Sequence, residues 1–312
     1  MVRVTVVIKV GGARAVDPAG ALADVASLVE SGEDVVVTHG GSTAVDDTLE
    51  RLGLEPEYVE TPSGVVGRFT DEETMEVFEM VLPGLLNTEM VASLQSEGVD
   101  AVGFSGVDGK LLHGPRKSAV RVLEDGKRKI RRGDHSGTIK EVNADLLESV
   151  LDDGYTPVVS PPMAGADSEA RSASDSRAAE PRDEDEDGNS IITPVNTDAD
   201  RTAATLAGAL EATLVLLTDV PGILEDPEDE STLIETVDSP DDWQRLEAAA
   251  EGFMSRKVMA IQESLDGGAR EAIVADANAA EPITSALDGS GTHVNSNALE
   301  GNTTGQNTDE GN

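Results

Sequence analysis

Hydrophobic positions along this chain follow two rhythms. Val4 to Val10 (VTVVIKV) and Val35 to Thr38 are unbroken, largely β-branched runs, the pattern of strands buried on both faces of a parallel sheet. Between them Leu22, Val25, Ala26 and Val29 recur at helical spacing, with Asp17 placed to cap that helix, Pro18 to start it and Gly32 to stop it. Strand, helix and strand form a βαβ unit. The alternation then continues. A helix is expected over 44–52, ended by Gly53, and Thr70 to Glu73 reads as a capping box opening a helix that Pro83-Gly84 breaks before a second one runs to Leu94. Strands are expected at 99–104, 156–160, 213–218 and 271–275. Helices are expected from Asn143 to Leu151, from about Asp198 to Leu210, after Ser239 and over 255–265. This order predicts an α/β protein, a three-layer αβα sandwich around a mostly parallel sheet, built as one large domain or two lobes.

Two strand ends carry glycines: Lys9-Val10-Gly11-Gly12 closes the first apolar run and His39-Gly40-Gly41-Ser42 the second. In βαβ units ligands collect at the carboxyl ends of strands, where glycine lets backbone N–H groups approach an anion and the next helix adds its positive end. The pair reads as a phosphate site. It is not a P-loop: no G-x-x-x-x-G-K-[ST] occurs, and Gly109 to Gly114 is followed by Pro115.

Composition changes the setting. Asp and Glu outnumber Lys and Arg by 61 to 23, a net charge of −38, and aromatic residues make up 2% of the chain. So acidic a surface suits a salt-saturated cytoplasm, where carboxylates keep a protein hydrated while salt screens their repulsion. The absence of cysteine excludes disulfides and thiolate metal sites. No signal peptide or 18-residue apolar span is apparent, so a soluble, cytoplasmic protein with no membrane association is expected. The stretch 164–190 has almost no large apolar residue and is expected to be a mobile acidic insertion. Asp183, Asp185, Asp187 and Gly188 within it imitate a calcium loop, but Pro194 stands where the loop needs Glu. A disordered tail is expected over 300–312.

Six motifs in order, KVGG, HGGS, GRFTD, PVNTDAD, LLTDVPGIL and GFMSRK, resemble the amino acid kinase family, and within it the N-acetylglutamate kinase branch, over roughly residues 3–295. The resemblance implies ATP with Mg2+ as phosphoryl donor and roles at matching positions. Lys9 and Lys257 hold the transferring phosphoryl group from opposite sides, and Asp200 orients both lysines. Gly40 and Gly41 present N–H groups to the acceptor, Arg68 binds a carboxylate of the amino-acid moiety, and Asn196 positions the substrate. Gly11, Gly12, Thr218, Asp219 and Gly222 border the nucleotide. The implied organisation is a substrate and dimerisation lobe over 1–190 and a nucleotide lobe over 191–299, dimerising through the helix around 75–94. Phosphoryl transfer needs positioning and positive charge, which two lysines in a chain with only seven can supply. Plainer readings stand beside these: Lys9 snorkelling from a strand end, Lys257 as a surface cation, Arg68 paired with Asp71, and Asp200 as a helix-start carboxylate.

Ten of the 23 basic residues fall between Lys110 and Lys140, against three acids there. Asp125-Gly126 reads as the turn of a hairpin joining 119–124 to 127–132, so a basic ribbon over 116–132 is expected to project from an acidic protein. With the segment from Arg131 to Asn143, it resembles the subfamily whose substrates, glutamate or 2-aminoadipate, are tethered to the acidic amino-group carrier protein LysW. Ser42, where N-acetylglutamate kinases usually have a third glycine, departs from that branch. Nucleic acid is a poor fit to the patch, which lacks interleaved aromatics in a chain that repels phosphate backbones. The alternatives are a free N-acetylglutamate kinase, an aspartokinase, which would usually carry regulatory domains past about residue 290, and a catalytically silent sensor, against which retention of Lys9 and Lys257 argues.

Overall fold

A computed structural model describes residues 4–11, 18–62, 64, 66–124, 126–166, 191–250 and 252–299. Gly12, Asp17, the calcium-like run and the tail lie outside them. The first βαβ unit is β1 (Thr5–Val10), α1 (Pro18–Ser31) and β2 (Asp34–His39), followed by α2 (Ser42–Leu52) and an antiparallel two-stranded ribbon, β3 (Tyr58–Glu60) and β4 (Val66–Arg68). Helix α3 (Glu72–Glu79) runs through a π turn at Met80–Leu86 into α4 (Asn87–Ser96). Then come β5 (Ala101–Gly106), the long hairpin β6 (Leu112–Glu124) and β7 (Lys127–Gly137), β8 (Glu141–Val142), α5 (Ala144–Asp152) and β9 (Thr156–Ala166). The remainder is β10 (Ile192–Val195), α6 (Ala199–Ala209), β11 (Thr213–Thr218), β12 (Thr236–Val237), α7 (Pro240–Ala249), α8 (Phe253–Asp266), β13 (Glu271–Asp276), α9 (Pro282–Leu287) and β14 (Thr292–Asn295).

The strands join in the order β12-β14-β13-β11-β1-β2-β9-β6-β7. The centre is parallel, with β1 between β2 and β11 and both β2 and β5 parallel to β9; antiparallel pairs lie toward the edges at β13–β14, β9–β10 and β6–β7. Alternation along each central strand explains the unbroken apolar runs. Val7, Val36, Leu214 and Leu216 face one core layer, which also holds Leu206, Val258 and Ile261 of α6 and α8. Val6, Ile8, Val35, Val37, Val215 and Leu217 face the other, with Leu22 and Val25 of α1 and Leu94 of α4. Both faces are covered, so both are largely apolar.

Several expected details move. The cap of α3 is Asp71, whose side chain accepts from the Thr74 amide; Thr70 is fully buried and caps nothing. Pro83-Gly84 does not break the helix: the backbone widens into a π turn around the proline's missing N–H and continues. The continuous helix Glu72–Ser96 is therefore long and apolar enough, by length and composition, to cross a membrane, although no such span was expected. Met75, Val77, Phe78, Val81 and Leu82 of this helix pack with Val45 and Leu49 of α2. The hairpin is longer than read, pairing Arg116 with Gly137 as well as Glu124 with Lys127. Residues 164–166, assigned to the acidic insertion, belong to β9: Ala164 is fully buried and pairs with Pro194.

The base of the hairpin is tightly packed. A Cβ on Gly114 of β6 would overlap the backbone carbonyl of Thr138, which no side-chain motion can relieve. Gly114→Ala is expected to lower unfolding free energy by about 1–3 kcal/mol, the range for overpacking, read as a lower urea midpoint at unchanged slope.

Candidate active site

Lys9 is the last residue but one of β1, in register with Thr38 of β2 and Leu216 of β11. It shares the face of Val7, beneath α6 and α8, and is only 8% exposed. A lysine placed so deep needs a counter-charge, which α6 supplies. Asp198 caps that helix by accepting from the amides of Asp200 and Arg201 at 2.9 and 3.1 Å, which sets Asp200 in the first turn. Its Oδ1 lies 2.8 Å from Lys9 Nζ, a close ion pair off the usual hydrogen-bond direction, and its Oδ2 accepts from Lys257 Nζ at 3.3 Å. Lys257 comes from α8, whose spacing from α6 is fixed by a two-pronged Arg201–Glu263 pair, one prong 3.0 Å long.

Two cations thus share one carboxylate inside the protein. Burial alone would raise the Asp200 carboxyl, but the attraction of the Lys9 and Lys257 ammonium groups outweighs it and holds the group below the ordinary aspartate range. Lys257 is lowered, first by burial and then by repulsion from Lys9, against the pull of Asp200. Beside Lys9 the hydroxyl of Thr38 is wholly buried with no hydrogen-bond partner. Excess positive charge with a spare donor suits an anion.

Gly40 and Gly41 link β2 to α2, so their backbone lies at the amino end of an 11-residue helix. Crowding explains the second glycine, because a Cβ on Gly41 would collide with Leu82 and Leu86 of the π turn. His39 is buried, and burial lowers its imidazole below the usual value. The neutral ring donates from Nδ1 to the Gly40 carbonyl at 3.0 Å.

Arg68 has a partner the sequence reading did not name. Its Nη1 meets Asp46 Oδ1 of α2 at 2.5 Å, its Nη2 donates to the Tyr58 hydroxyl at 2.8 Å, and its plane lies over the rings of Tyr58 and Phe78. Asp71, the partner named as the plainer alternative, caps α3 instead. Asn196 follows β10; its side-chain amide donates to Thr70 Oγ1 at 3.3 Å, and its backbone bridges to the end of β7. On the far side of β1, Thr218 ends β11 and donates to Asp219 at 3.2 Å. Gly222 is wedged against Leu233 and Thr292, leaving no room for a Cβ. Gly11 follows β1, half-buried. Lys9, Lys257, Asp200 and the 40–41 loop therefore gather at the carboxyl ends of β1 and β2, with Thr218 and Asp219 at the end of neighbouring β11, where strand order reverses across β1.

Sequence reasoning missed Asp46, Tyr58, Thr38 and the Arg256 guanidinium, which reaches from α8 to the Val66 carbonyl of β4 at 2.7 Å. Asp46 sits one helical turn after Ser42, and that spacing was the available signal. The basic ribbon is also less uniform than its composition. Lys129 pairs with Glu124 at 2.6 Å, while Arg131 forks onto Glu57 and stacks over Phe69 at 4.2 Å, so its charge faces inward. Arg121, Lys127 and Arg128 are exposed, and a shallow groove lies among Arg121, Arg128, Lys129, Ile130 and Pro62.

Comparison with known proteins bears on the family and the fold. The model of the amino acid kinase family matches residues 4–276. The chain belongs to the amino acid kinase family. It is 40% identical over 292 residues to a [LysW]-aminoadipate kinase of Thermus thermophilus, covering 93% of this chain and 99% of that protein. It is 41% identical over 291 residues to an acetylglutamate kinase of Methanopyrus kandleri, covering 92% and 99%. Among solved structures, N-acetylglutamate synthase of Neisseria gonorrhoeae superposes with a TM-score of 0.67 at 22% identity, over 94% of this chain and 59% of that one, a likeness of fold.

Lys9→Met or Lys257→Met is expected to lower turnover roughly 10²–10³-fold, the scale for losing one transition-state charge stabiliser, with the circular dichroism spectrum retained. The depressed Lys257 gives a pH signature. Burial and Lys9 both favour its neutral form, so the alkaline fall of kcat/KM is expected below the pH at which an exposed lysine titrates. Lys257→Arg, which keeps the charge, is expected to move that limb upward.

Proposed function

We propose that the protein is an ATP-dependent kinase that phosphorylates the side-chain carboxylate of glutamate or 2-aminoadipate carried on an acidic LysW-type protein, in arginine or lysine biosynthesis. One observation carries the reading: a cationic hairpin whose stem is bonded to the Arg68 and Asn196 segments, beside a buried Lys9–Asp200–Lys257 cluster. A carboxylate oxygen attacks the γ-phosphorus, the bond from phosphorus to the β-phosphate oxygen breaks, and ADP leaves an acyl phosphate behind. Lys9 and Lys257 hold the phosphoryl oxygens, and Asp200 keeps the two ammonium groups together before and after transfer. Gly40 and Gly41 direct N–H groups to the acceptor; Gly11, Thr218, Asp219 and Gly222 border the nucleotide. Arg68, already braced by Asp46, borders the amino-acid side with Asn196.

Among the described residues no group of three His, Asp or Glu side chains could hold a metal ion, and Asp200 is engaged by lysines. The described residues do not build a magnesium site of their own. In this reading Mg2+ arrives with the nucleotide, bound by phosphates and water. The nucleotide lobe comprises residues 191–299 and the substrate lobe the part before it. The exposed Met80 and Leu85 of the π turn favour a homodimer through that helix.

A second reading, free N-acetylglutamate as acceptor, is favoured by the Methanopyrus relative. ATP turnover with carrier-linked glutamate, carrier-linked aminoadipate and N-acetylglutamate, measured side by side, separates the two. Reversal of Arg121, Lys127 and Arg128 to Glu is expected to weaken use of carrier-linked substrate and spare an unlinked analogue. Lys129 is left in place because it already answers Glu124. The defect is expected to persist at molar KCl, where the Debye length of about 3 Å leaves contact pairs but no long-range steering. Equal effects on both substrates, or none, would transfer preference to the free substrate.

A further inference from the structure

The stem of the hairpin holds a carboxylate that the mechanism above does not use. Asp134 is 1% exposed. Its Oδ1 accepts from the Thr70 amide at 3.2 Å and its Oδ2 from the Ser136 hydroxyl. A buried carboxylate is expensive unless hydrogen bonds hold it, and these two fix where it sits. The partners matter more than the count. Thr70 lies two residues after Arg68 and is itself fully buried. Its carbonyl accepts from the His135 amide at 2.6 Å, and its hydroxyl accepts from the Asn196 side chain at 3.3 Å. Asn196 in turn donates its amide to the His135 carbonyl at 2.8 Å and accepts from the Gly137 amide at 2.9 Å. On the other side, a Cβ on Gly137 would stand 2.7 Å from Val195, so β7 closes on the end of β10 without slack. Three distant segments, 68–70, 134–137 and 195–196, bond to one another beside one buried acid.

We propose that Asp134 is a positioning residue for the amino-acid side of the site, fixing through Thr70 and Asn196 the register between the stem of the cationic hairpin and the segment that carries Arg68. The inference rests on the reading that Arg68 and Asn196 border the amino-acid substrate. It deepens that reading by making the hairpin part of the site's frame. Its tip would meet the carrier while its stem sets the position of the groups that meet the amino acid.

The test uses Asp134→Asn, which keeps the shape and removes the charge, with Thr70→Val and Ser136→Ala as milder variants should the first fail to fold. Each is assayed with the best wild-type acceptor, linked and unlinked. For Asp134→Asn, kcat/KM for the acceptor is expected to fall roughly 10- to 100-fold, the penalty for a slightly misplaced site, equally for linked and unlinked forms and with the KM for ATP unchanged. The milder variants should move the same parameter by less. Hydrogen exchange gives a readout independent of activity: peptides covering 66–74 and 191–198 are expected to lose protection, while peptides covering β1 and β11 keep theirs. Unchanged acceptor kinetics together with unchanged protection in a folded variant would overturn the inference, as would a matching loss of ATP affinity, which would mark a merely structural role. Wild-type protein inactive on every acceptor would sink the functional reading instead, and the exchange result would then decide the positioning claim alone.

Discussion

Everything near the site depends on one buried carboxylate between two lysines. Asp200 allows Lys9 to stand 8% exposed at the end of a central strand and Lys257 to point inward from α8. Without it two ammonium groups would repel one another in a poorly hydrated space. The Asp198 cap that orients the first turn of α6, the Arg201–Glu263 pair and the apolar layer beneath α6 and α8 all act on the position of that carboxylate. The arrangement stays one negative charge short of neutral. That deficit leaves room for an anion at the site.

Charge elsewhere in the molecule follows a different rule. The chain carries a net charge of −38, whereas eight of its 23 basic residues lie in one hairpin. Structure divides that hairpin into parts with different work. Arg131 is turned inward onto Glu57 and Phe69, Lys129 is answered by Glu124, and Arg121, Lys127 and Arg128 face solvent. Pairs exposed at the ribbon contribute little to stability. The inward stem, where backbone groups from three segments bond to one another, sets the geometry.

Family membership and local geometry bear on different questions. Relatives at about 40% identity over nearly the whole chain establish the family. Under the proposed function the choice of acceptor within it would fall to Arg68 with Asp46 and Tyr58, and to Asn196 with Thr70. Glutamate and 2-aminoadipate differ by one methylene, worth about 1–3 kcal/mol in a pocket, so small shifts in those groups would be enough to choose.

The sequence by itself determined the βαβ frame, the parallel centre of the sheet, the cap at Asn143, the helix starts near Asp198 and Ser239, and the family, because these follow from short-range periodicity and ordered motifs. It placed Lys9 and Asp200 in the right elements, since a lysine after VTVVI and an acid in a helix's first turn are local facts. Only the tertiary structure decided what those residues touch. The Asp46–Arg68 pair, the Asp134–Thr70 bond and the Arg256 contact to Val66 join positions 22, 64 and 190 residues apart. The π turn that carries the chain past Pro83 likewise depends on packing against α2, which outweighs the local preference to break. Local pattern reports which face of an element is dry; which side chains meet across elements is set by how the layers close, and that information is distributed over the whole chain.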